Sequence, residues 1–255
     1  MGILIEEFDT WARGHLSIDE MAGIDNSING IQVSCGQREI TRAAFAVDAC
    51  LETFTRAADW GAQLLFVHHG LFWGREQPLV GTHYRRIHAL MKEDIALYAA
   101  HLPLDAHPEL GNNAGMCQVL GLQEREPFGS YHGVKIGYKG LLPEARTVEQ
   151  VVQQLFGDPG QAIAVLPFGP SKVRSLGIIS GGAPFEVDQA IDEGLDLFIT
   201  GDANHVVYHR CLEAGINVIF AGHYATEVFG PKLMMQRAEA ELGLEVRFIH
   251  VPTGL

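Results

Sequence analysis

Short continuous apolar runs alternate with stretches of helical spacing along most of this chain. Residues 41–47, 63–67 and 95–100 read as strands, with helices over 50–60 and 83–93 between them. Gly61 stops the first of these helices, as a residue without a Cβ readily does. Ahead of them, Gly2 to His15 carries Glu6, Glu7, Asp9 and Arg13 among apolar positions, which predicts an amphipathic first helix. Residues 23–36 are loop-like around a short extended piece at 30–33, and a further helix is expected over 111–120, closed by Gly121. From about residue 130 the texture changes. Residues 133–140 alternate as an antiparallel strand does, and Thr147 stands where a helix over 148–156 needs its N-cap. Val151, Val152 and Leu155 form the inward face of that helix, and 162–166 and 173–179 read as strands parted by a turn at 167–171.

The last third then repeats the pattern of the first. A strand ending at Ile178-Ile179, a helix over 184–193 stopped by Gly194, a strand over 195–200, a helix over 204–214 and a strand over 216–221 follow in turn. A helix from about Glu227 to about residue 242 closes the series. Short strands alternating with helices of this length imply βαβ units and mainly parallel sheets, an α/β fold with a two-fold internal repeat. The expected halves are 1–127 and 128–255. In such sheets ligands bind outside the carboxyl ends of the strands.

Composition narrows the picture. Apolar residues at 47% and charged residues at 19% describe a globular chain, and no stretch approaches the ~18 to 20 apolar residues of a membrane span. The N-terminal segment lacks the charge order of a signal peptide, so the cytoplasm is the expected compartment and no membrane partner is expected. Lys and Arg total 18 against 31 Asp and Glu, a formal charge of −13 that repels phosphate backbones and argues against nucleic acid as a partner. Cys35, Cys50, Cys117 and Cys211 form no C-x-x-C pair and read as small buried hydrophobes.

The chemistry gathers at strand ends. His68 and His69 close the run at 64–67, with Gly70 behind them as a turn that lets both rings swing to one side. His101 and Asp105, then His223 and Glu227, each follow another apolar strand with the spacing His-x-x-x-acid. Imidazoles and carboxylates delivered by several strand ends are the ingredients of a two-ion hydrolytic centre. Plainer readings exist for each: a hydrogen-bonded turn for the His pair, a helix cap for Asp105, and for Glu227 a favourable place in a helix's first turn. His101 is expected to orient a ligand or to shuttle a proton. The Ser180-Gly181-Gly182-Ala183 segment would serve either as an anion cradle or as a tight turn, and Phe72-Trp73 as core or as a wall of the site. No Walker A, G-x-G-x-x-G or G-x-S-x-G motif occurs.

Taken together, Asp25, the segments at 30–33, 68–70, 180–183 and 200–202, His101 with Asp105, and Gly222-His223-Tyr224 with Thr226-Glu227 resemble the GTP cyclohydrolase 1 type 2 homologue family, across nearly the whole chain. Eukaryotic members of that family are interacting factors of a transcriptional coactivator. The resemblance implies two intertwined α/β halves with the metal site between them, and no inserted extra domain. It implies two divalent cations per chain, one taking His68, Asp105 and Glu227, the other His69, His223 and the bridging Glu227. It also implies a toroidal homohexamer. Three segments depart from the family pattern, at Asn112-Asn113, at Asp202 of Thr200-Gly201-Asp202 and at Tyr138, all expected to touch the pocket wall and leave the five ligands intact. The mixed nitrogen and oxygen donors admit Zn, Mn, Fe, Co or Ni.

Two functions fit these residues. One is a metal-dependent hydrolase of a small, nucleotide-like substrate, with His101 as the catalytic proton shuttle. The other is a non-catalytic protein that handles metal or assembles partners.

Overall fold

The computed structural model describes residues 2–36 and 39–255. In chain order the elements are α1 (Ile5–Leu16), β1 (Gly30–Val33), β2 (Arg42–Asp48), α2 (Leu51–Trp60), β3 (Leu64–His69), α3 (Gly81–Lys92), β4 (Ala96–Ala99), α4 (Leu102–Ala106) and α5 (Asn112–Leu120). They continue as β5 (Gln123–Tyr131), β6 (Val134–Arg146), α6 (Val148–Phe156), β7 (Ala164–Pro167), β8 (Val173–Ile178), α7 (Val187–Asp192), β9 (Leu197–Thr200), α8 (Tyr208–Ala214), β10 (Asn217–Phe220), α9 (His223–Thr226), α10 (Phe229–Leu242) and β11 (Glu245–Phe248). Short 3-10 turns precede α7 and α8, so the helices expected over 184–193 and 204–214 begin tightly wound and become α-helical only from Val187 and Tyr208.

Two compact units result. The first comprises residues 1–104 and 230–251, the second residues 105–229 and 252–255. Where the sequence suggests one boundary at 127/128, the chain passes between these units three times, inside α4, in the first turn of α10 and after Val251. The reason is packing. Helix α5 lies before residue 127, yet its Ala114, Met116, Cys117 and Leu120 are buried with Leu176, Ile178, Leu197 and Ile199 of the second unit. Conversely, β11 lies late in the chain but pairs in parallel with β2 of the first unit.

The first unit is built on a sheet of order β1-β4-β3-β2-β11, parallel except for β1 at one edge. Residues 43–47, 64–67 and 96–99 are wholly or almost wholly buried, as strands covered on both faces must be. Phe45, Phe66 and Tyr98 stand in register across β2, β3 and β4. Their rings form a row against Phe8 of α1, with Phe66 stacked on Tyr98 at 5.7 Å and Phe8 edge-on to Tyr98 at 5.3 Å. Residues of the other parity, Ala44, Ala46, Leu65, Val67, Leu97 and Ala99, pack with Phe54 and Ala57 of α2 and Ile87 and Leu90 of α3.

The second unit has a sheet of order β5-β6-β8-β9-β10-β7. Its centre, β8-β9-β10, is parallel, whereas β5, β6 and β7 join antiparallel. Leu176, Ile178, Leu197, Ile199 and Ile219 face α5 and α6, while Phe128, Phe198, Val218 and Phe220 face Val187 and Ala190 of α7 and Cys211 of α8. The cap expected at Thr147 is present: its hydroxyl accepts from the Gln150 N–H while the Gln150 side chain accepts from the Thr147 N–H. The central βαβαβ pattern thus occurs once in each unit, which is the two-fold repeat read from the sequence. Among the described residues no helix is long and apolar enough to cross a membrane.

Candidate metal centre

In the first unit, β3 extends through both histidines instead of ending at Val67, and Asp48 and His69 are register partners. The rings lie 4.6 Å apart but are pulled to opposite neighbours. His68 Nδ1 donates to the Ala100 carbonyl beyond β4 at 2.9 Å, and His69 Nδ1 donates to the Asp48 carboxylate at the end of β2, also at 2.9 Å. His101 joins them, its ring 5.1 Å from that of His68 and 5.7 Å from that of His69. Its Nδ1 donates to Asp25 at 2.9 Å. Asp25 also accepts from the Ser27 and Leu102 N–H groups and from the Asn29 amide. Burial works to raise the Asp25 carboxyl, but the His101 and Asn29 bonds outweigh it and hold the group below the usual carboxylate range. One donor nitrogen from each of His68, His69 and His101 lies within 4.8 Å of the others.

In the second unit, Asp105 is buried and its Oδ1 accepts from the Ser180 hydroxyl at 2.8 Å and the Asn112 amide at 2.9 Å. Asn113, fully buried, holds the same turn by accepting from the Ser180 N–H and donating to the Ile136 carbonyl. Gly181, at φ +65°, follows Ser180, and a Cβ there would run into Glu227 Oε1. The glycine is what lets that carboxylate approach the turn. His223 Nδ1 is 3.0 Å from Asp202 Oδ1, and its Nε2 is 3.2 Å from Glu227 Oε1. Burial disfavours a charged ring here, but Glu227 and Asp202 prevail and push His223 up to about 9 in the metal-free protein. A carboxylate oxygen of Asp105 lies within 4.8 Å of one of Glu227.

The donor chemistry suits a divalent cation. In His68, His69 and His101, Nδ1 faces a carbonyl or carboxylate acceptor, which fixes the tautomer whose lone pair is on Nε2, whereas His223, with Nδ1 on Asp202 and Nε2 on Glu227, offers Nε2 once a cation displaces its second proton. An imidazole held in this way by a second acceptor is the usual arrangement of a metal-ligating histidine.

A family model described as Duf34/NIF3 (NGG1p interacting factor 3) matches residues 4–254. The chain belongs to the Duf34/NIF3 family. Two relatives named GTP cyclohydrolase 1 type 2 homolog agree with this. That of Treponema pallidum is 40% identical over 282 residues, covering 98% of this chain and 99% of its own. That of Archaeoglobus fulgidus is 46% identical over 231 residues, covering 91% and 92%. A crystal structure of a Thermus thermophilus protein superposes with a TM-score of 0.90 at 37% identity, covering 99% of this chain and all of that one.

Within this Duf34/NIF3 chain, the first unit gathers His68, His69 and His101, and the second gathers Asp105, His223 and Glu227. Sequence reasoning did not single out Asp48, and it placed Asp202 and Asn112 only at a pocket wall; all three bond to candidate ligands. Asn112 and Asp202 bond directly to Asp105 and His223, so these departures do more than line a wall. Tyr138 donates to the Ala106 carbonyl, next to Asp105 in the chain. A usable signal was present for the carboxylates: Asp48 and Asp202 each precede their histidine by 21 residues, the length of one βα step.

Proposed function

We propose that the chain carries a two-ion centre and is a metal-dependent hydrolase of a small molecule. One ion takes His68, Asp105 and Glu227, and the other His69, His223 and Glu227 as the shared anion. The observation that carries this reading is the donor set itself: three buried or half-buried imidazoles turned to present Nε2, together with two buried carboxylates. Chain connectivity supports sharing. Asp105 is the first residue of the second unit and Glu227 lies just ahead of Gly230, where the chain re-enters the first, so both carboxylates are tethered to the unit bearing the His pair. Five protein ligands leave positions on two cations for water and substrate.

When bound, such a pair of cations supplies a water acidified to near neutral pH and a polarised substrate oxygen or ring carbon. The chain's own groups do the rest. Asp48 and Asp202 hold His69 and His223 in the ligating tautomer, Ser180 and Asn112 fix Asp105, and His101, backed by Asp25, accepts and returns a proton. Relatives bear the name GTP cyclohydrolase 1 type 2 homolog, so GTP heads the substrates to test, followed by phosphoesters and cyclic amides. Elemental analysis should approach two ions per chain, and the metal-loaded protein should turn over one of these classes. A reproducible single ion at full occupancy would sink the two-ion reading. Turnover lost in Asp105→Asn and retained at another metal-independent rate in no variant is the expected catalytic signature.

A further inference from the structure

His101 is immobilised to a degree that a swinging proton carrier does not require. The Asp25 side chain is 1% exposed and bonds His101 Nδ1, while the His101 backbone N–H donates to Asn29 Oδ1 at 2.8 Å. Trp73 packs T-shaped against the ring with centroids 5.0 Å apart, and Trp73 Nε1 is itself anchored to the Gly70 carbonyl. These contacts leave Nε2 as the lone-pair atom, in a cluster whose other two members present the same nitrogen. One nitrogen of each ring lies within 4.8 Å of one nitrogen of each of the others. A cation bound by all three would sit at ~2.0 to 2.1 Å from each nitrogen.

We propose that His68, His69 and His101 form a nitrogen-only site that holds one divalent cation on the first unit by itself. This is a binding state separate from the two-ion centre, with which it shares His68 and His69, and it rests on that reading only through those shared residues. Three neutral imidazoles favour late first-row cations such as Ni, Cu or Zn over oxygen-preferring Mn or Mg. In this state His101 is a ligand and Asp25 its positioning residue.

The test uses the full chain with Asp105→Asn, His223→Ala and Glu227→Gln combined, which removes the donors of the second unit. Ni(II) and Mn(II) are titrated by calorimetry and by tryptophan emission. One Ni(II) per chain should bind, Mn(II) at least about tenfold more weakly, with quenching that Trp73→Phe abolishes. Adding His101→Gln should lower Ni(II) affinity at least about 100-fold, and adding Asp25→Asn about 10- to 100-fold. A variant that remains folded by circular dichroism yet binds no Ni(II), or binds it equally well after His101→Gln, overturns the site. If the triple variant does not fold, half an equivalent of Ni(II) added to the otherwise unaltered protein decides: Trp73 quenching must disappear with His101→Gln, and its persistence overturns the proposal. Two ions in the unaltered protein with none in the folded triple variant would refute this site and leave the two-ion centre standing. One ion in both would do the reverse.

Discussion

His69 and His223 are each steered by one carboxylate, Asp48 and Asp202, at 2.9 and 3.0 Å. Removing that acceptor frees the imidazole to rotate and to take the other tautomer, while the ligand atom itself stays in the chain. Asp48→Ala or Asp202→Ala is therefore expected to weaken metal binding about 10- to 100-fold without abolishing it, as read by competition with a chelating dye. Glu227→Ala should behave differently. If the carboxylate is shared, its loss leaves two dications with no common anion, so metal content should fall towards zero, whereas His68→Ala or His69→Ala chiefly weakens one ion. Equal and independent losses in the three variants would show that Glu227 serves a single ion.

At the scale of elements, the two units reuse one βα step with the candidate histidine moved by a strand. The Ala100 N–H bonds the Val67 carbonyl beside β3, and the Ala221 N–H bonds the Thr200 carbonyl beside β9, which aligns His68 with Gly201 and His69 with Asp202. The second unit has glycine at the His68 position because the chain crowds it. A Cβ on Gly201 would meet the Gly181 carbonyl oxygen at 2.7 Å and His223 Cα at 2.8 Å. Gly201→Ala should cost about 1 to 3 kcal/mol in urea unfolding and should also displace His223, reducing metal content; a neutral result in both would refute the crowding argument. In the first unit, Glu241 of α10 is held by Trp11 Nε1 and His15 of α1 and by Arg237. The Trp11 bond and its neighbours lower its carboxyl to about 2 from an ordinary 4.5. A lowered carboxyl stabilises the fold above its unfolded value and loses that contribution as pH falls towards the folded one. The docking of α1 on α10 should thus weaken between pH 4.5 and about 2. Glu241→Gln should flatten that part of the acid-unfolding curve, monitored through Trp11 emission, and an unchanged slope would count against it.

For the whole molecule, assembly is the property most in need of measurement. The large aromatic groups Phe72, Tyr84 and Phe229 divide into covered and exposed ones. Phe229 packs against Phe156 and Phe72 against His83, each within its own unit, but Tyr84 is 51% exposed. Leu79, Val80 and Met91 are exposed on the same stretch of chain. Such a cluster is normally covered in a stable protein, and a closed homo-oligomer would cover it in every copy at once. Light scattering is expected to give a particle near six times 27.9 kDa, and Tyr84→Glu with Met91→Glu should shift it towards smaller species. A monomer that added metal does not change would reject the ring.

Several features were fixed by local order along the chain. The buried strands at 43–47, 64–67 and 96–99 are continuous apolar runs, the cap at Thr147 and the helix stops at Gly61 and Gly121 are short-range chemistry, and the histidines and carboxylates at strand ends are legible by type. Strand pairing at the margins was not legible. β5 is largely exposed and β11 only half-buried, so neither carries the apolar signature by which a strand is recognised, and only pairing with β6 and with β2 makes them strands. The unit boundaries depend on a related matter: local order along the chain does not say which sheet will cover α5 or α10. The aim of each ligand also belongs to tertiary structure alone. Whether a histidine presents Nδ1 or Nε2 depends on the acceptor behind it, and Asp48, Asp202 and Asp25 reach their histidines from 21, 21 and 76 residues away, across folded backbone that no local pattern encodes.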